Sequence, residues 1–173
     1  MISSERRAFY RTGLSTLYRP GYDALCAELP PEWAPYFGAR TVPEQNSLYS
    51  KGRSTMGEPC QCSLKPCLKH PLGLTVTNAQ GGESAHNYGC ASDWTLWVDG
   101  KPVWMKGSDP RWQPYIDAIV KALLRSGSTF SSADYPHNEL MIDCSWKHVA
   151  VTFSQRGMTA AQQHIEANLH RAA

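Results

Sequence analysis

Asp93 sits in the middle of Cys90–Val98, a run with the length and composition of a buried strand. Successive strand residues point to opposite faces, so Ala91, Asp93 and Thr95 share one face. A lone carboxylate turned inward is costly unless a cation meets it. His86 precedes this strand, near the end of a polar, glycine-containing loop over 78–88. Gly89 and Ala91 are small enough to leave room beside the backbone for a metal and a substrate. Zinc takes His nitrogen, Cys sulfur and carboxylate oxygen, and catalytic zinc sites use three protein ligands plus water. His86 and Asp93 are therefore candidates for two ligands. A solvated histidine and an edge-strand aspartate fit the same two residues.

The chain has 173 residues, enough for one domain with a real core. Its apolar fraction of 42% and charged fraction of 18% are those of a soluble globular protein. A net charge of +2 makes no case for nucleic acid, although it does not oppose a polyanionic partner such as a bacterial envelope. No apolar run approaches the ~20 residues of a membrane span, so no stable membrane insertion is expected. Arginines near the N-terminus are not followed by an apolar stretch, so no signal peptide is expected and the protein starts in a cytoplasm.

Along the chain, one or two short helices are expected in 1–29, broken at Pro20-Gly21 and ended by Pro30-Pro31. A short strand over 34–39 and a helix over 43–53 should follow, the helix with Pro43 in its first turn. Residues 54–74 read as irregular, and 74–77 alternates as a strand does. Asp99-Gly100 is a hairpin signal between Cys90–Val98 and a strand over 102–105. Asp109-Pro110 should open a helix whose apolar face carries Ile116, Ile119, Val120, Leu123 and Leu124, with Gly127 as its stop. Strands over 139–144 and 149–153 and a polar helix over 159–173 complete an α+β fold with a small, mainly antiparallel sheet flanked by helices. The whole of 1–173 is read as one domain with a core of about 22–155 and a Cys-rich insert at 56–72.

The pattern Ser84-x-His86-x-x-Gly89-x-Ala91-x-Asp93 resembles the signature of the VanY-like family of D-alanyl-D-alanine carboxypeptidases and L-alanyl-D-glutamate peptidases, which includes phage endolysins. Upstream, Arg40-Thr-Val-Pro-Glu44-Gln45-Asn-Ser-Leu48-Tyr49-Ser-Lys-Gly52-Arg53 resembles a second block of that family. Downstream, Asp134-Tyr-Pro-His137-Asn-Glu-Leu140 is similar to its Asp-x-Pro-His-Phe-Glu-Leu block, and Gly127–Ser132 to the strand and turn before it. The chain departs from the pattern at Phe130, Ser131, Ser132 and Asn138. The resemblance covers roughly 22–142 and implies a LAS-type metallopeptidase fold with the zinc site on the sheet.

It further implies zinc held by His86, Asp93 and His137, with Asp134 as the general base. Arg40 would stabilise the oxyanion or grip a substrate carboxylate; a surface ion pair with Glu44 is the alternative. Gln45 and Ser84 would brace the site, and Tyr88 and Tyr135 would either line the cleft or pack in the core. His148 is a rival third ligand, but Ser145 offers no base at the family spacing and Asp143 would have to substitute.

The implied substrate is the peptidoglycan stem peptide, cut by a monomeric endolysin with L-alanyl-D-glutamate endopeptidase activity that waits in the host cytoplasm until lysis. A D-alanyl-D-alanine carboxypeptidase and a non-catalytic zinc- or wall-binding domain are the alternatives. The six cysteines suit thiols or metal ligands better than a disulfide framework. Cys26, Cys90 and Cys144 suit small buried apolar positions. Cys60, Cys62, Cys67 and His70 could close a second, structural zinc site, with free thiols or a disulfide as the other readings. The C-terminal segment, with His164, His170 and Arg171, reads as a solvated helix or a contact to the wall or outer membrane.

Overall fold

The computed structural model describes residues 3–60, 62 and 67–170. Within them, α1 (Ser3–Thr12) and α2 (Arg19–Glu28) lead into β1 (Trp33–Phe37) and α3 (Val42–Ser50). After a long irregular excursion come β2 (Ala91–Val98), β3 (Lys101–Val103), α4 (Trp112–Lys121), β4 (Leu124–Ser126), β5 (His137–Leu140) and α5 (Trp146–Ala167). The strands form one antiparallel sheet in the order β1-β2-β5-β4. The long strand β2 carries β1 on one edge, and β5 and β3 on the other at its two ends. This is the α+β arrangement expected from the sequence.

Trp94 and Leu96 face a cluster rich in aromatic side chains, including Tyr18, Tyr22, Trp33, Trp112 and Tyr115, supplied by β1, α4 and the α1–α2 region. Ala91 joins a second cluster with Ala85, Tyr88, Val149, Ala161 and Ile165 under α5. Asn138, placed where the family pattern has an aromatic residue, is fully buried. Its amide donates to the Ser92 carbonyl at 2.9 Å and the Tyr115 hydroxyl at 2.7 Å, and its carbonyl accepts from the Tyr18 hydroxyl. The buried amide is thus satisfied and ties β5 to β2, α4 and the segment before α2.

Several expected elements differ. Pro20-Gly21 does not break a helix; Pro20 occupies the first turn of α2, where a missing N–H costs nothing. Residues 74–77 form no strand, only an isolated Glu58–Leu74 bridge. α4 ends before Gly127, because Leu123 takes a left-handed conformation (φ 56°) and Leu124 already belongs to β4. Val120 and Leu123 are consequently exposed rather than part of the apolar face. The strand expected over 149–153 is instead the start of α5, capped by Ser145, whose hydroxyl accepts from His148 N. Val149 and Phe153 lie one helical turn apart and pack on the cluster around Tyr88, so tertiary burial overrides the strand-like composition. α5 contains the expected C-terminal helix, broken from its first half at Gly157 (φ 80°). Gln61 and residues 63–66 of the Cys-rich insert, and Arg171 with the last two residues of the C-terminal segment, lie outside the described residues.

Candidate metal centre

The sheet register places Asp93 directly opposite His137, so one cross-strand pair supplies two of the expected ligands. The third, His86, arrives from a 3-10 turn (Ala85–Tyr88) packed beside the end of β1. That turn ends at Gly89 in a left-handed conformation (φ 66°), with the backbone of 13–15 so close that a Cβ would lie 2.7 Å from Ser15 N. Gly89 therefore serves the turn and its packing rather than making room for a metal.

Each imidazole has one nitrogen fixed from behind. His86 Nδ1 lies 2.7 Å from the Gly38 carbonyl, which can only accept, so that nitrogen carries the proton and Nε2 faces the centre. His137 Nε2 donates to Glu139 Oε2 at 3.1 Å, which turns Nδ1 toward the centre. Glu139 is itself buried and also accepts from Trp146 Nε1 at 3.0 Å and Arg125 at 3.4 Å. Such a carboxylate behind an imidazole fixes tautomer and ring orientation at metal sites. Glu139 was not singled out from the sequence, although it follows His137 at the two-residue spacing that shares a strand face.

The facing atoms are His86 Nε2, His137 Nδ1 and Asp93 Oδ1. They are separated by 3.3 Å between the two nitrogens, 3.2 Å from His86 to Asp93 and 3.1 Å from His137 to Asp93. A tetrahedral ion with bonds of about 2.0–2.1 Å spaces neighbouring ligand atoms about 3.3 Å apart, which is the size of this triangle. Three acceptors converging on one point repel unless a cation lies among them. Burial opposes charge on Asp93, yet His86 and His137 outweigh it and hold the carboxylate well below its usual range. Burial likewise opposes charge on His137, but hydrogen bonds to Asp93 and Glu139 push its pKa up to about 10. The residues thus fit a three-ligand site for a metal such as zinc.

Arg40 and Asp134 flank this triangle. Arg40 lies 3.8 Å from Asp93 Oδ2, donates to Gln45 Oε1 at 2.7 Å, and is bound through its backbone N–H to the His86 carbonyl at 2.9 Å. Fully buried Gln45 donates in turn to the Ala79 carbonyl at 2.8 Å and braces the arginine as expected. The Glu44 carboxylate accepts from Thr41 in a capping box at the start of α3, so Arg40 is turned to the centre rather than to a surface ion pair. Ser84 contributes its backbone carbonyl, accepting from Asn87 N. Tyr88 belongs to the core, stacked on Trp146 with its hydroxyl donating to the Gly82 carbonyl. Tyr135 packs against Trp112.

Asp134 follows the 3-10 turn Gly127–Thr129, and its backbone N–H closes the loop on the Gly127 carbonyl at 2.9 Å. The residue keeps solvent access, but crowding around its carboxyl raises the pKa. Burial is the larger cause and the charge of Asp93 the next, opposed by His137, His86 and Arg40. Phe130 lies against the His137 ring, centroids 5.5 Å apart, which accounts for an aromatic at that position. His148, the rival ligand, is exposed in the first turn of α5 and takes no part in the triangle. A groove of about 280 Å³ lined by Phe37, Ala39, Arg40, Glu44, Ser47 and Leu48 opens beside Arg40.

Fold and site together describe three convergent metal-ligating side chains on an antiparallel sheet, with Arg40 and the carboxyl of Asp134 close by. No family model matches the chain. It is 30% identical over 112 residues to the peptidoglycan L-alanyl-D-glutamate endopeptidase CwlK of Bacillus subtilis (strain 168), covering 60% of this chain and 58% of that protein. The chain thus spans little more than half the length of this curated relative. Among solved structures, the Serratia marcescens L-Ala D-Glu endopeptidase ChiX aligns with a TM-score of 0.47 at 19% identity, over 79% of this chain and 86% of the other.

Proposed function

We propose that the protein is a zinc peptidase of the VanY-like family that hydrolyses the L-alanyl-D-glutamate bond of the peptidoglycan stem peptide. The observation that carries this reading is the triangle of His86 Nε2, Asp93 Oδ1 and His137 Nδ1, whose edges of 3.2, 3.1 and 3.3 Å suit one zinc ion. The similarity to a curated endopeptidase of the same bond supports the choice of substrate. When bound, zinc would lower the pKa of a water toward ~7 and polarise the scissile carbonyl.

The chain's own residues supply the rest. Asp134 accepts the proton of the attacking water and returns it to the leaving amine, and a raised carboxyl pKa makes it a better base. The Arg40 guanidinium, clamped by Gln45, meets the negative charge that develops on the carbonyl oxygen. The stem peptide would lie in the groove between Phe37 and Leu48, with Arg40 at its inner end. The setting proposed is that of a phage lysis enzyme leaving a host cytoplasm to reach the wall. Among the described residues no helix is long and apolar enough to cross a membrane.

The test is wall hydrolysis by His86→Ala and Asp93→Ala proteins whose circular dichroism matches wild type. Both variants should lose bound zinc and lytic activity. Full activity in either one, with the fold intact, sinks the assignment.

A further inference from the structure

Outside this centre, the described residues hold a second convergence of metal-ligating atoms. Cys60, Cys62, Cys67 and His70 each bring one donor within 4.8 Å of the others. Cys60 Sγ lies 3.6 Å from Cys67 Sγ, and His70 Nδ1 lies 3.4 Å from Cys60 Sγ and 3.5 Å from Cys67 Sγ. A tetrahedral zinc with Zn–S of ~2.3 Å and Zn–N of ~2.0–2.1 Å spaces two sulfurs about 3.8 Å apart and a sulfur and nitrogen about 3.6 Å apart. Three of the six edges of the group match those spacings. Another, Cys60 to Cys62 at 2.7 Å, is compressed. No disulfide joins the six cysteines in the structure.

The surrounding chain shows what such a clip would hold. Between α3 and the Ala85–Tyr88 turn the described residues contain no helix or strand. The excursion is pinched at its base, where Gly57 N donates to the Leu72 carbonyl at 2.6 Å and Leu74 N to the Glu58 carbonyl at 2.7 Å. Beyond that pinch, only Cys67 is buried among the four donors. Leu68 is exposed as well, so among the described residues of this loop apolar burial contributes little to its order. From the pinch the chain runs to Thr77 and Ala79, whose oxygens face the Gln45 amide at 3.5 and 2.8 Å. Gln45 is the residue that clamps Arg40.

We propose that Cys60, Cys62, Cys67 and His70 bind a structural thiophilic divalent ion, zinc by ligand type, which clips the 57–74 loop and thereby fixes the strand of chain that supports Gln45 and Arg40. Three thiolates and one imidazole with no open position form a closed structural site, distinct in chemistry from the His-Asp-His centre. The two donor sets share no residue, so either site stands or falls without the other.

Metal analysis of the full chain, purified under reducing conditions, tests the proposal. Wild type should carry two zinc ions, Cys67→Ser one, and His86→Ala one. Cobalt substitution identifies the remaining ion: the thiolate-to-cobalt charge-transfer band should persist in His86→Ala and vanish in Cys67→Ser. Should Cys67→Ser fail to fold, thiol alkylation of the zinc-loaded His86→Ala protein decides instead, with the three loop cysteines protected until chelator is added. Two results overturn the proposal. One is loop thiols that alkylate equally fast with and without zinc. The other is a Cys60–Cys62 disulfide found by mass spectrometry in freshly prepared protein.

Discussion

Replacing Glu139 with Gln isolates the contribution of the residue behind His137. The carboxylate accepts three donors: His137 Nε2 at 3.1 Å, Trp146 Nε1 at 3.0 Å and Arg125 at 3.4 Å. Glutamine keeps the volume but offers one carbonyl oxygen, so its NH2 must face at least one donor N–H. His137 and Trp146 both donate to Oε2, so the glutamine oxygen can keep both with its NH2 turned to Arg125, and what is lost is the negative charge behind the imidazole. Without that charge the His137 imidazole is a weaker metal ligand. Disturbing an outer carboxylate of this kind costs about 10- to 100-fold in metal affinity, or roughly 1.4–2.8 kcal/mol. Competition with a chromophoric chelator measures the zinc affinity directly, and circular dichroism checks the fold. Affinity equal to wild type in a folded Glu139→Gln protein would refute the reasoning, because the charge behind His137 would then contribute nothing to metal binding.

Asp134→Asn should lower the hydrolysis rate by about 10²–10⁴-fold while zinc content stays unchanged. The same substitution should raise the Tm of the metal-free protein at neutral pH. The folded-state pKa of Asp134 is raised, so its ionisation disfavours the fold once pH exceeds that pKa. The gain in Tm should therefore shrink as pH falls and disappear below the unfolded-state pKa; a gain independent of pH would contradict it. At Gly127, an added Cβ would lie 2.3 Å from the Asp134 carbonyl and 2.9 Å from His137 Cβ. Gly127→Ala should accordingly destabilise the protein by about 1–3 kcal/mol in urea unfolding and weaken zinc binding. Unaltered stability would show that the loop has room to spare.

The parts of the molecule that followed from the sequence are those where one local pattern dominates. Asp93 sits in a strand-like run, where an inward carboxylate needs a cation and an edge-strand carboxylate does not. The structure supplies two imidazoles, one on the neighbouring strand and one on the preceding turn. His137, which the sequence offered only through the resemblance of Asp134-Tyr-Pro-His137 to a family block and with His148 as its rival, lies in the sheet in register with Asp93. Other features depended on tertiary packing. Val149–Phe153 has strand-like composition, but Ser145 caps a helix there and the apolar residues meet the Tyr88 cluster at helical spacing. The end of α4 rests on Leu123 adopting a left-handed backbone, which no residue type announces. Glu139 was legible only as the next residue on the His137 face, and its significance needed Trp146 and Arg125 in place.

The most direct test of the proposed activity is the mass of the muropeptides released when zinc-loaded protein digests purified walls. Hydrolysis between L-Ala and D-Glu should leave L-Ala on the muramic acid and expose a new D-Glu amino terminus, and His86→Ala protein should release neither. Loss of a single terminal D-Ala, or intact stem peptides after digestion by zinc-loaded wild type, would contradict the account.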